Sequence, residues 1–121
     1  MKRPHSDQGI IIRHAQVLIT AKLGDTLIAR SNAALELKEA NYPIVYYFPR
    51  QDVAISALTI TQHHTHCPFK GDASHYTVRA GEQIVENAAW SYETPIASVD
   101  QIAGHVAFYA RKIEIGRGTT A

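Results

Sequence analysis

The chain is short of the features that most often betray a function. Among its 121 residues there is one cysteine, one methionine and one tryptophan. A single cysteine excludes an internal disulfide and fits a reducing cytosol, the compartment expected for this chain. No stretch reaches the roughly 18 consecutive apolar residues of a membrane span. The first eight residues, Met1 to Gln8, are polar and lack the apolar region of a secretory signal, so they read as a loose tail. A membrane is therefore not an expected partner. Neither sign of charge dominates: 12 basic against 11 acidic residues give +1, no electrostatic footprint for a phosphate backbone. Nucleic acid is excluded as a main partner. Both Gly-rich phosphate devices, G-x-G-x-x-G and G-x-x-x-x-G-K-[ST], are missing, which rules out a nucleotide-binding α/β domain. So is any Asp-x-Asp or Asp-x-Glu pair able to hold two magnesium ions. No cofactor is expected.

What remains is a chain 45% apolar and 19% charged, enough for one core and too short for two. Residues 9–121 read as a single β domain. Between Gln16 and Lys22, Val17, Ile19 and Ala21 alternate with polar residues at the period of a half-buried strand. Gly24-Asp25 turns, and Thr26 to Ser31 returns as the second arm of a hairpin. A third strand puts Leu35 and Leu37 inward, with Glu36 and Lys38 outward. Ile44 to Phe48 suits a pleated sheet and stops at Pro49. Asp52 is placed to cap a short helix through Ala57. Further along, His75 to Arg79 alternates, Ala80-Gly81-Glu82 turns, and Ile84 to Glu86 and Ala88 to Tyr92 read as two short strands. Ser98-Val99-Asp100-Gln101 has capping-box spacing for one helical turn, closed by Gly104. Val106, Phe108 and Ala110 then open a long final strand continuing to Ile115. Many short strands with frequent turns and no long amphipathic helix indicate an all-β sandwich or small open barrel.

Chemistry concentrates in Thr65-His66-Cys67-Pro68-Phe69-Lys70-Gly71-Asp72. Cys67 is a candidate nucleophile, with Lys70, His66 or His64 lowering its pKa, a histidine as base and Asp72 or Asp52 as an orienting acid. The competing reading is a buried thiol acting as a small hydrophobe. His63, His64, His66 and Cys67 place four metal-ligand types within five residues. On an extended segment His64 and His66 share one face, and two ligands fall short of a usual zinc site, so no metal is assigned and the His64/His66 pair stays a lesser alternative. The competing reading is an exposed histidine run on a connector. A ligand pocket is the third candidate: Tyr46, Tyr47, Tyr76, Trp90, Tyr92 and Tyr109 can stack on a flat molecule, and Arg50, Lys70, Asp72 and His75 can fix its polar groups. The same aromatics also suit a small β core.

Taken together, Tyr42-Pro43, Val45 to Val53, Cys67 to Ser74, Ala89-Trp90-Ser91-Tyr92 and Val106 to Tyr109 resemble, in order and spacing, the domain-of-unknown-function family 427. The resemblance covers roughly residues 27–115 and implies a small, mostly β domain of the β-tent kind, similar in architecture to methionine sulfoxide reductase B and to the ligand-binding domain of cereblon. Some β-tent relatives hold zinc with two Cys-x-x-C pairs, which one cysteine cannot supply. A nucleotidyltransferase-like label carried by some members does not suit a chain without paired acids. Positions matching the family are Tyr47, Arg50, Cys67, Lys70, Gly71, Asp72, Trp90 and Tyr92. The resulting expectation is a small cytosolic β domain binding a small polar or aromatic molecule through Tyr47, Arg50, Lys70, His75, Trp90 and Tyr92. A thiol enzyme using Cys67, Lys70 and Asp72 is the alternative, and a protein-interaction or dimerisation module, open to homodimer formation through free strand edges, is the second.

Overall fold

A computed structural model describes residues 9–118. The described residues form ten strands: β1 (Ile10–His14), β2 (Leu18–Leu23), β3 (Thr26–Ser31), β4 (Leu35–Glu39), β5 (Val45–Tyr47), β6 (Leu58–Cys67), β7 (Gly71–Ala80), β8 (Gln83–Tyr92), β9 (Val106–Phe108) and β10 (Glu114–Gly118). Every pairing is antiparallel. They make three open sheets of order β1-β4-β5, β10-β2-β3 and β6-β7-β8-β9. The all-β reading holds, and none of the sheets closes into a barrel.

The four-stranded sheet lies between the other two, and each face carries its own core. On one face Tyr76, Val78, Ala89, Val106 and Phe108 pack with Ile19, Ala21 and Ile28 of the β2–β3 hairpin. On the other, Ala73, Tyr92 and Ala107 pack with Leu35, Leu37 and Tyr47 of the β1-β4-β5 sheet and with Val99 and Ile102. Consecutive residues of one strand end serve both: Tyr47 points into the second core and Phe48 into the first. Phe48 and Val106 exchange backbone hydrogen bonds at 2.8 and 2.9 Å, so the β1-β4-β5 sheet is stitched at this point to the edge of β9.

Several local expectations are corrected. Ile10–His14 forms a strand that the alternation pattern missed, and it pairs edge to edge with β4, where Glu36, on the face opposite Leu35 and Leu37, is only 8% exposed and paired with Arg13 at 3.0 Å. Asp52 caps no helix. It accepts a 2.6 Å hydrogen bond from Ser31, beside two isolated 3-10 turns, Arg50–Asp52 and Ile55–Ala57. The capping-box spacing at Ser98 is likewise unused, since the 3-10 segment Ala97–Ile102 starts after Ile96 with no side-chain cap. The final strand breaks after Phe108, and Glu114–Gly118 crosses to pair with β2. The chain turns there, with the Lys112 and Ile113 N–H groups both donating to the Tyr109 carbonyl at 2.9 Å, and since Val106, Ala107 and Phe108 are all enclosed no alternation marks where the strand ends.

Ile84 to Tyr92 is one strand, interrupted by a bulge in which Asn87 adopts φ 50°. A second bulge lies in β6, between Ile60 and His64. The two face each other across β7, joined by a 2.7 Å hydrogen bond from Thr61 Oγ1 to Asn87 Oδ1. Bulges bend and twist a ladder locally, and these carry the histidine-bearing half of β6 toward His75. The β6–β7 turn is fixed by Lys70 N–H to Cys67 carbonyl (3.1 Å) and by Ile96 N–H to Lys70 carbonyl (2.9 Å). Gly71, at φ 120°, ends this turn in a conformation that side-chain-bearing residues rarely adopt, which is why glycine follows Lys70.

Candidate functional site

A cavity of about 830 Å³ opens where the four-stranded sheet meets the β4–β5 connection, the β6–β7 turn and β10. Tyr42 to Tyr46 form one wall, His66 to Phe69 a second, and Trp90 with Phe108 and Tyr109 a third. Ile115 to Arg117 close the remaining side. The surface is mainly hydrocarbon and aromatic, with Glu39, His66, Cys67 and Arg117 as its few polar or reactive contributors.

Trp90 is held rather than loosely packed. Its indole N–H donates to Tyr47 Oη at 3.3 Å, and the two rings meet edge to face with centroids 6.2 Å apart. Tyr109 lies tilted over Trp90 at 4.4 Å and is hydrogen-bonded through its hydroxyl to His75 Nε2 at 3.1 Å. Burial pushes the phenols of Tyr47, Tyr92 and Tyr109 above the usual tyrosine value, so all three stay neutral, with Tyr47 and Tyr109 serving as hydrogen-bonding groups. The network therefore fixes an aromatic wall and supplies no phenolate.

Of the sequence-derived ligand residues, Trp90 lines this cavity. Tyr47 and Tyr92 stand behind the wall, 1% and 5% exposed. Lys70 is also enclosed, its ammonium 2.7 Å from the Glu39 carboxylate, and both side chains are largely buried. This pair ties the β6–β7 turn to the end of β4 and consumes the positive charge that would have served Cys67 or an anion. Arg50 does not join them. Its guanidinium donates to Glu93 at 2.6 Å and to the Gly104 carbonyl at 3.0 Å, and it borders a separate cleft of about 470 Å³ with His14 and His105. Tyr46 and Tyr109, named from the sequence as stacking candidates, also line the cavity, whereas Phe69 and Arg117 were missed as cavity-lining residues. Arg117 reaches the site only through the crossover of β10.

Cys67 is half-buried in the cavity wall as a free thiol. Asp72 lies across the ladder from His66, and its Oδ1 is 2.6 Å from His66 Nδ1. His66 and Cys67 are consecutive in β6 and both border the cavity, and the Asp72 carboxylate engages the imidazole. His64 is exposed on β6, which is an edge strand of its sheet and not the connector of the sequence reading. Among the described residues, no three His, Cys, Asp or Glu side chains converge to hold a metal ion, and no helix is long and apolar enough to cross a membrane.

His75 is 1% exposed, with its ring 4.5 Å from that of His63 and stacked on Tyr109. Its Nδ1 is buried with no hydrogen-bond partner. Desolvation lowers its pKa below 6.5, and the charges of nearby His63 and His64 add to the effect, against a weaker opposing pull from the His63 and Ala73 backbone. The native protein thus keeps His75 neutral where the unfolded chain would protonate it. The contribution of His75 to stability is complete above pH 6.5 and is lost as pH drops from there toward the depressed native value. Thermal melts from pH 7.5 to 5 are expected to show this loss, and His75→Phe to show a shallower one.

No curated protein matches the chain. A family model does, over residues 11–118, from β1 through β10, and its description is a domain of unknown function, DUF427. The match takes in β1 and β10, beyond the span over which the sequence motifs resemble the family, and on this extent the chain belongs to the DUF427 family.

Proposed function

We propose that this domain binds a small molecule with a flat, apolar or aromatic body in the cavity walled by Trp90. The observation that carries the reading is the fixed indole: an aromatic side chain of a binding pocket is most useful when its orientation is set in advance, and Trp90 is set by Tyr47. The volume of about 830 Å³ lies within the range of ligand pockets. Apolar walls at Val45, Phe69 and Ile115 supply desolvation, and the free guanidinium of Arg117 favours a ligand bearing an anionic or carbonyl group at the mouth. Lys70 and Glu39 shape the site by holding the β6–β7 turn against β4. Arg50 belongs to the other cleft.

Because the chain has one tryptophan, its emission reports on this cavity alone. Anilinonaphthalene sulfonate, an aromatic anion, is expected to brighten on binding the folded protein and to quench Trp90. Tyr46→Ala and Arg117→Ala should each weaken binding by about tenfold, the equivalent of one lost stacking or charged contact of ~1.4 kcal/mol. Arg50→Ala should leave it unchanged. Equal losses in all three variants would contradict the assignment of the cavity.

A second reading, thiol chemistry at Cys67, is favoured by one arrangement: Cys67 and His66 line the same cavity while Asp72 engages the His66 ring. The Lys70 ammonium, paired with Glu39, is a weak activator in this setting. Iodoacetamide alkylation of the native protein at pH 7 is expected to slow in His66→Ala and to be little changed in Lys70→Met. A thiol equally unreactive in wild type and both variants would leave Cys67 as a wall residue only.

A further inference from the structure

We infer that His64 and His66 form a chelate for a late first-row divalent cation on the open edge of β6, with Asp72 as the residue that orients His66. The placement comes first. β6 is the terminal strand of its sheet, and among the described residues its outer edge pairs with no other strand. His64 and His66 are two residues apart, so their side chains leave the same face, with Cα atoms about 6.6 Å apart. They oppose Ser74 and Asp72 respectively on β7. That register puts a carboxylate directly opposite one of the two imidazoles.

Orientation is the second element. The 2.6 Å contact between His66 Nδ1 and Asp72 Oδ1 favours the proton on Nδ1, leaving the Nε2 lone pair directed away from the carboxylate. Metal-binding histidines generally donate their other ring N–H to a carboxylate or carbonyl in this way, which fixes the tautomer and raises the basicity of the ligating nitrogen. Among the described residues no hydrogen bond or ion pair holds the exposed His64 ring, so it is free to turn toward a shared ion. The neighbouring His63 is excluded from the pair, because the β6 bulge turns it onto the His75 ring instead.

The donor set defines the ion. Two imidazoles and no thiolate suit Zn²⁺, Ni²⁺ and Cu²⁺, with copper the tightest, and disfavour the oxygen-seeking Mg²⁺ and Ca²⁺. As no third side chain among the described residues converges, water or an external donor completes the coordination, and affinity falls short of that of a closed structural site. His66 also lines the large cavity, so the ion would sit at the cavity rim.

Calorimetric titration of ZnCl₂ into the complete, tag-free chain at pH 7.5 tests this without any cavity ligand, and so independently of the proposed function. One Zn²⁺ per chain is expected. His64→Ala and His66→Ala should each reduce affinity by about tenfold or more, and Asp72→Asn by about tenfold with the melting temperature unchanged. His63→Ala and His105→Ala should bind as wild type does. Wild-type affinity in His64→Ala or in Asp72→Asn, or the absence of saturable binding, would overturn the inference.

Discussion

The structure depends on one junction, the reciprocal backbone hydrogen bonds between Phe48 and Val106. Through it a three-stranded sheet and a four-stranded sheet become continuous, and a two-residue step delivers Tyr47 to one core and Phe48 to the other. Both rings are essentially inaccessible, at 1% and 0% exposure, and burying a side chain of this size contributes roughly 2–3 kcal/mol. Phe48 also meets Phe108 edge to face at 5.5 Å. A slip of one residue at this junction would exchange the two rings and expose each core to the wrong neighbour.

The candidate site is a by-product of that junction. With Tyr47 locked beneath the central sheet, its hydroxyl is the acceptor that Trp90 requires, and Trp90 in turn seats Tyr109. The opposite wall is set by the Lys70–Glu39 pair. A largely buried ion pair of this kind adds little net stability, since desolvation offsets attraction, but loss of either partner leaves an uncompensated charge. Its consequence here is positional: the turn bearing Cys67 and Phe69 is held against the end of β4, so the cavity keeps a defined mouth.

Legibility in the sequence followed local signals. Where a turn was explicit, as at Gly24-Asp25, the returning strand Thr26 to Ser31 was located with the observed bounds. Where both faces were covered the signal vanished: Val106 to Phe108 gave no endpoint. Glu36 does lie on the face of β4 opposite Leu35 and Leu37, but its shielding and its pairing with Arg13 of the neighbouring β1 were not legible. Asn87 hid the continuity of β8, because a bulge in αL conformation looks like a turn between two strands. Residue types for the site were legible, and Trp90 and Cys67 do share a cavity. Which polar groups converge was not, since Arg50 and Lys70 are both claimed by carboxylates, Glu93 and Glu39, that lie 43 and 31 residues away in the chain. Such pairings depend on topology, and no local pattern records them.

The central claim is that the Trp90 cavity, and not the Arg50 cleft, is where a ligand binds. The most direct test is to follow the amide and indole resonances of the isotopically labelled protein while small aromatic carboxylates are added. The account predicts that the largest saturable shifts fall on the Trp90 indole N–H and on the backbone of Tyr46, Cys67, Phe69 and Arg117. Shifts centred on Arg50, Gly104 and His105, with the Trp90 indole unmoved, would contradict it.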